Sequence, residues 1–249
     1  MGPRILRSML VGMSEASHLE GPSHPPASGG QPKQVVVFLH GYGADGNDLI
    51  GLAPYFSESL PDAAFYSPHA PEPGEMGYGR QWFTLQGYDP NLIRRDPARM
   101  ADAFAVMYDG AKRSAIALNE YIDRILEELG LSASSMALIG FSQGTMMAMH
   151  IGLRRSTAFG AIIGYSGALL GSEQLGEELQ NAPPLLLVHG SSDDVVPVTA
   201  LSHMQSALDA HDIAYTAHIV PNHGHGIEQM GATLGRTFLK QHLLTASSD

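Results

Sequence analysis

Residues Met136 to Gly144 read Met-Ala-Leu-Ile-Gly-Phe-Ser-Gln-Gly, and a helix-forming stretch from Thr145 to Ile151 follows directly. The apolar run has the length of a strand covered on both faces, and passing through Gly-x-Ser-x-Gly into a helix makes it turn within a few residues. Gly140 and Gly144 omit side chains where strand and helix close on one another. Ser142 is thereby left on a strained turn with its hydroxyl above the sheet. The five-residue pattern alone also describes a glycine-flanked surface serine. The strand before it and the helix after it point instead to a nucleophile.

An elbow of this kind requires a sheet with helices packed on it, and the remaining pattern agrees. Val35 to Leu39, Ala63 to Tyr66, Ser135 to Ile139, Phe159 to Tyr165, Leu185 to Val188 and Ala214 to Val220 read as strands, most of them continuously apolar. Between them Leu49 to Leu60, Pro97 to Leu129, Gln143 to Leu153, Thr199 to Ala210 and Ile227 to Leu243 read as helices, with a break expected near Gly110. Asp96-Pro97 suits the start of the long helix and Gly130 its stop. The alternation predicts an α/β fold: one domain over residues 34–249, with a mostly parallel, doubly wound sheet flanked by helices. Ligands bind such sheets at the carboxyl ends of the strands, where Ser142 lies.

Composition narrows the chemistry. The chain has 249 residues and no cysteine, so thiol nucleophiles, Cys-ligated zinc and iron-sulfur clusters are excluded and the nucleophile must be an oxygen. A net charge of -11 repels a phosphate backbone or an anionic membrane surface, which argues against nucleic acid as a partner. No apolar stretch approaches the ~20 residues of a membrane span, so no stable membrane insertion is expected. Residues 1–33 are rich in Gly, Pro, Ser and His and are expected to form a disordered tail. Arg4 and Arg7 precede an apolar run, Met9 to Met13, that is short of the roughly 7 to 15 residues of a signal peptide's core. A cytoplasmic protein is the expectation. The oligomeric state is left open, a homodimer included.

Ser67 to Asp96 is a long irregular stretch, rich in Pro and Gly, with Tyr78, Trp82, Phe83 and Tyr88 interspersed. It is expected to cover the site, with Trp82 and Phe83 touching substrate, and the alternative is an aromatic loop packed on the core.

A serine hydroxyl needs a base, and the base needs a third group to fix its tautomer. Two strand ends downstream supply candidates in the order Ser, acid, His. His189-Gly190-Ser191-Ser192-Asp193-Asp194 follows one strand, and Pro221-Asn222-His223-Gly224-His225-Gly226 follows the next. Asp193 or Asp194 is the candidate acid, with turn formation and helix capping as the alternative role. His225 is the candidate base because glycines flank it, with His223 as the alternative. A catalytic zinc would need three nearby ligands, for which His189, His223 and His225 could be considered, but no His-Glu-x-x-His pattern supports them and no metal is expected. Oxyanion donors are expected from the backbone N–H groups of Gln143 and of Tyr42, in the glycine-rich loop His40 to Gly46. That loop matches neither a dinucleotide fingerprint nor a phosphate-binding loop. Because a histidine base must be neutral, activity should fall as pH drops through roughly 6 to 7.

Over Val35 to Leu243 the sequence resembles the phospholipase/carboxylesterase family of α/β-hydrolases. The resemblance rests on Leu39-His40-Gly41-Tyr42-Gly43, Gly140-Phe141-Ser142-Gln143-Gly144, His189 to Pro197 and Gly224-His225-Gly226-Ile227, with Gln81-Trp82-Phe83 similar to an aromatic block of the family. It implies the α/β-hydrolase fold and acyl-ester hydrolysis through an acyl-enzyme without a cofactor. Nucleophile, acid and base fall on Ser142, Asp193 and His225, and the oxyanion donors on the backbones of Tyr42 and Gln143. Asp194 and Thr145 depart from the family pattern, the latter replacing a frequent third glycine. Too little chain separates Tyr165 from Leu185 for a large lid. The expected substrate is a small short- to medium-chain carboxylic ester. Acyl-thioesterase or lysophospholipase activity is the alternative, and peptidase chemistry or a binding protein without turnover are further readings.

Overall fold

The computed structural model describes residues 18–75, 77–85 and 99–245, with the backbone alone at 99–103 and 245. The segment 86–98, most of the second half of the expected cover loop, lies outside the described residues. So do residues 1–17.

Most of the apolar runs form strands that are buried on both sides, the largely exposed edge strand Thr216–Val220 being the exception. Parallel strands β2 (Gln34–Leu39), β3 (Ala63–Tyr66), β6 (Met136–Phe141), β7 (Ala161–Tyr165), β8 (Leu185–Gly190) and β9 (Thr216–Val220) lie in one sheet, joined at its edge by the antiparallel β1 (Ser23–His24). The order is β1-β3-β2-β6-β7-β8-β9, so the elbow strand β6 sits in the middle, and β4 (Glu72–Pro73) pairs with β5 (Arg80–Gln81) in a separate antiparallel sheet. The twofold period of the strands divides the core. Val35, Val37 and Leu39 face one layer, and Val36 and Phe38 face the other. On the first face pack α3 (Arg99–Leu129), α4 (Gln143–Arg154) and α6 (Thr199–Asp209), and on the second α1 (Gly46–Ile50), α2 (Ala53–Ser57) and α7 (Gln229–Thr245). A short α5 (Leu175–Glu178) is the only helix between β7 and β8 among the described residues. This is the expected α/β-hydrolase architecture.

Three expectations are corrected. The helix expected from Leu49 to Leu60 is two, because Pro54, which has no N–H, is tolerated only in a first turn, so the chain starts α2 afresh just before it. The long helix runs through Gly110 unbroken. A Cβ there would stand 2.4 Å from Cβ of Phe83, so the glycine makes room for the aromatic loop rather than ending a helix.

Residues 18–33 of the expected tail carry ordered structure. Ser23 and His24 pair with Tyr66 and Phe65, the Ser67 N–H donates to Pro22 O at 3.0 Å, the His69 N–H donates to Glu20 O at 2.7 Å, and Leu19 is buried. Main-chain pairing along the edge of β3, which composition does not register, supplies the ordering that apolar burial would otherwise provide. No helix among the described residues is long and apolar enough to cross a membrane.

Candidate active site

Ser142 follows the last residue of β6 and is the N-cap of α4, with φ 53° and ψ -117°. A serine at an N-cap ordinarily spends its hydroxyl on the helix's free N–H groups. The Ser142 hydroxyl makes no such cap bond. The strained φ turns the side chain away from the helix, which leaves it for other work. The Ser142 N–H donates to Tyr165 O at 2.9 Å and ties the turn to β7.

The turn is this tight because side chains are missing around it. A Cβ on Gly140 would lie 2.4 Å from Gly144 O, and one on Gly144 would lie 1.8 Å from Leu39 O. Thr145, the departure from the family pattern, is accommodated in the same way. Its methyl and Cβ fill the space where side chains on Gly164 and Gly167 would come to 2.6 and 2.4 Å, and its Oγ1 lies 2.8 Å from both Gly140 O and Tyr165 O.

The loop after β8 carries Asp193, whose side chain has no solvent exposure. Its Oδ1 accepts the N–H groups of Val195 (3.0 Å) and Val196 (2.8 Å), and its Oδ2 accepts from His225 Nδ1 at 2.8 Å. Burial pushes the Asp193 carboxyl up, but the bonds from His225 and Val196 outweigh it and hold the group below the usual carboxylate range. Asp194, the other candidate acid, is exposed. His223, the other candidate base, directs Nε2 to Gly226 O at 3.1 Å.

The bond to Asp193 puts the His225 proton on Nδ1 and leaves Nε2 as the acceptor. The ring lies 4.8 Å, centroid to centroid, from Phe141, the residue before Ser142. His189 is buried on β8 and gives Nε2 to Val196 O at 2.8 Å, closing the acid loop. Its burial lowers its pKa, so it stays neutral.

Tyr42 lies in the loop after β2, and Gln143 opens α4. Neither backbone N–H donates to a main-chain carbonyl among the described residues. The Gln143 N–H also sits at the positive end of α4, where developing negative charge is favoured.

The side chains of Gln143 and His40 beside these donors were not singled out by the sequence. The Gln143 carboxamide accepts from the Trp82 N–H at 2.8 Å through Oε1 and donates from Nε2 to Phe83 O at 2.7 Å. His40 Nε2 accepts from the Ala70 N–H at 3.0 Å, which places its proton on Nδ1, facing Gly41 O at 2.8 Å. Burial lowers the His40 pKa more than the Gly41 bond raises it. Trp82 Nε1 donates to His40 O at 3.0 Å.

Trp82 and Phe83 were expected to touch substrate. Both are fully buried at 0% exposure: the Trp82 indole is tied to the loop after β2 through His40 O, and Phe83 packs against α3 at Gly110, so neither side chain is open to a bound molecule. The signal was available in Gln143, a long polar residue where the chain is otherwise buried.

Beside the elbow, a cavity of about 320 Å³ is bordered by Ala168 and Leu169 after β7, Tyr108 of α3, and Ala200 and Met204 of α6. Ser142 and His225 are outside its lining. Gly167, next to Ala168, would bring a Cβ to 2.9 Å from Ser142 O, so the cavity begins one residue away from the elbow's neighbour.

A family model described as phospholipase/carboxylesterase matches residues 26–243. Esterase YpfH of Escherichia coli (strain K12) is 27% identical over 197 residues, 79% of this chain and 77% of that protein. Acyl-protein thioesterase 1 of Gibberella zeae is 27% identical over 187 residues, 70% and 74% of the two chains. Among solved structures, that of esterase PE8 superposes with a TM-score of 0.82 at 36% identity, covering 91% of this chain and 100% of that one. Arabidopsis thaliana SOBER1 shares the fold at a TM-score of 0.69 and 20% identity, covering 84% of this chain and 99% of that one.

Proposed function

The chain belongs to the phospholipase/carboxylesterase family and is a carboxylic ester hydrolase, and from that premise we propose a Ser142-His225-Asp193 triad acting on short- to medium-chain carboxylic esters. The observation that carries the triad is the coincidence of a strained N-cap serine that does not cap with a histidine whose Nδ1 is fixed by a buried carboxylate. Ser142 attacks the acyl carbon while His225 Nε2 takes its proton, and Asp193 holds the imidazole and stabilises the cation formed. The carbonyl oxygen, now negative, is received by the N–H groups of Tyr42 and Gln143. His225 returns the proton to the leaving alcohol, and a water deprotonated by His225 then releases the acid and Ser142.

The acyl preference is supported by the cavity beside the elbow, about 320 Å³, which is at the low end for small-molecule sites. The four residues of α5 between β7 and β8 also leave that side of the site without a large lid. Relatives named as thioesterases support a second reading, acyl-thioester hydrolysis by the same residues. A panel of p-nitrophenyl esters and matched thioesters of graded acyl length tests both. The proposal expects kcat/KM to peak on esters at about four to eight carbons, toward the small end of what ligand pockets take. A maximum at twelve carbons or longer refutes the chain-length reading, and a consistent preference for thioesters replaces the ester reading by the second.

A further inference from the structure

Among the described residues four besides glycine have positive φ: Ser142, Ser166, Asp212 and Asn222. Asp and Asn tolerate that conformation, but serine gains little from it. The two serines occupy equivalent places. Phe141 and Tyr165, the last residues of β6 and β7, are partners in register, so Ser142 and Ser166 each follow the end of neighbouring parallel strands. Tyr165 in turn pairs with Val188 on β8, and the Ser166 N–H donates to Val188 O at 2.9 Å, which sets Ser166 across from His189 and the loop bearing Asp193.

Ser166 is 1% exposed, and its hydroxyl has no well-aligned hydrogen-bond partner. A buried hydroxyl without a partner is costly, and at φ 49° a glycine would be free of backbone strain. Holding a serine there against both penalties calls for a use of its oxygen. The charged group on the facing loop, four residues past His189, is Asp193, whose ionised form a hydroxyl turned toward it would favour. The other titratable groups around that carboxylate are His225 from the loop after β9, at 2.8 Å, and His189 on β8, at 3.4 Å from Oδ2 but directed to Val196 O. Asp194 follows in the chain, and His223 meets the loop through its carbonyl, which accepts the Ser192 N–H. Ser166 therefore has the one free-turning donor among them.

We propose that Ser166 is a positioning residue for the acid: its hydroxyl swings onto the Asp193 carboxylate as His225 becomes protonated and keeps that carboxylate aimed at Nδ1. The inference rests on the triad proposed above. It adds a donor contributed by a fourth strand end, that of β7, one strand away from the nucleophile.

The test uses Ser166→Gly and Ser166→Ala in the full chain, with kcat and KM for a short p-nitrophenyl ester measured between about pH 5 and 9 beside the thermal midpoint. Losing a hydrogen bond to a charged group should lower kcat by about 10-fold or more in both variants. KM should stay within about twofold, since the contact is not to substrate. The glycine variant should melt no lower than the wild type, its strain having been removed. The acidic limb of the rate profile should move to lower pH, because a donor that engages the carboxylate as the imidazole becomes charged stabilises the imidazolium, and its loss withdraws that support. An unchanged kcat and acidic limb in Ser166→Gly overturn the proposal, as does a loss of kcat that merely follows the melting temperature. Asp193→Asn separates the two levels. If it is inactive while Ser166→Gly is unaffected, only the role of Ser166 falls; if it retains wild-type turnover, the triad and this inference fall together.

Discussion

The two sides of the site are built by opposite means. The elbow side, Gly140 to Thr145, is held in shape by missing side chains: main chain approaches main chain so closely that a single Cβ on Gly144 would stand 1.8 Å from Leu39 O. The side proposed to receive the oxyanion, His40 to Gly46 with Ala70 to Phe83, is held by side chains reaching into main chain. Gln143 bonds Trp82 and Phe83, Trp82 bonds His40 O, His40 bonds the Ala70 N–H, and Arg80 bonds Ala70 O at 2.7 Å and Pro71 O at 2.8 Å. Steric exclusion leaves a local mark in sequence as glycines at fixed spacing. Hydrogen bonds between residues about 60 apart leave none.

The largest break comes at the acid that both sides depend on. Asp193→Asn should lower kcat by about 10⁴-fold while the neighbouring Asp194→Asn stays near wild type, a ratio measurable by steady-state kinetics. Equal effects would remove the distinction drawn from the buried carboxylate. Next is the elbow itself. Gly144→Val should destabilise by more than about 4 kcal/mol, because the obstruction is backbone that cannot rotate away. A Gly144→Val protein that unfolds in denaturant like the wild type would contradict the steric account.

On the other side, Gln143→Leu should cost about 2–4 kcal/mol in denaturant unfolding, as the Trp82 N–H and Phe83 carbonyl lose their partners in the core. Its kcat should fall with KM little changed, since what loosens is the oxyanion loop. If Gln143→Leu left both unchanged, the side-chain lattice would not hold that wall.

How far the sequence could be read follows the same division. The elbow turn and the two loops that bring Asp193 and His225 together were legible because strand ends, glycines and chain order are local. The parallel core strands were legible because two-sided burial makes them continuously apolar, and Ala63–Tyr66 agrees at both ends. β1 was not, being two residues with no apolar period that exist only because β3 has a free edge. The break before α2 was written in Pro54, whose missing N–H restarts a helix, yet the apolar spacing around it suggested continuity. The aromatic pair Trp82 and Phe83 was recognised as important but given the wrong role. Aromatic composition does not distinguish a wall that meets substrate from one that props the loop behind it.

The smallest effect is on pH. Burial lowers the pKa of His40 and His189, and that of His150 to about 3, from an ordinary 6.5. The unfolded chain therefore binds protons that the native one refuses once pH falls below 6.5. Stability from these groups is complete above that value and declines as pH drops toward their folded-state pKa values. The low pKa of Asp193 acts in the same direction at lower pH. Melting temperature should thus fall steadily from pH 7 to pH 4, and a midpoint that rose over that interval would reverse the assignment of neutral buried histidines.

The central claim is that Ser142 is the activated alcohol of the site. Labelling with a fluorophosphonate followed by peptide mass spectrometry tests it most directly. The account predicts stoichiometric modification of Ser142, loss of esterase activity in step with labelling, and neither event in His225→Gln. Modification of a different serine, or full inhibition with Ser142 unmodified, would contradict it.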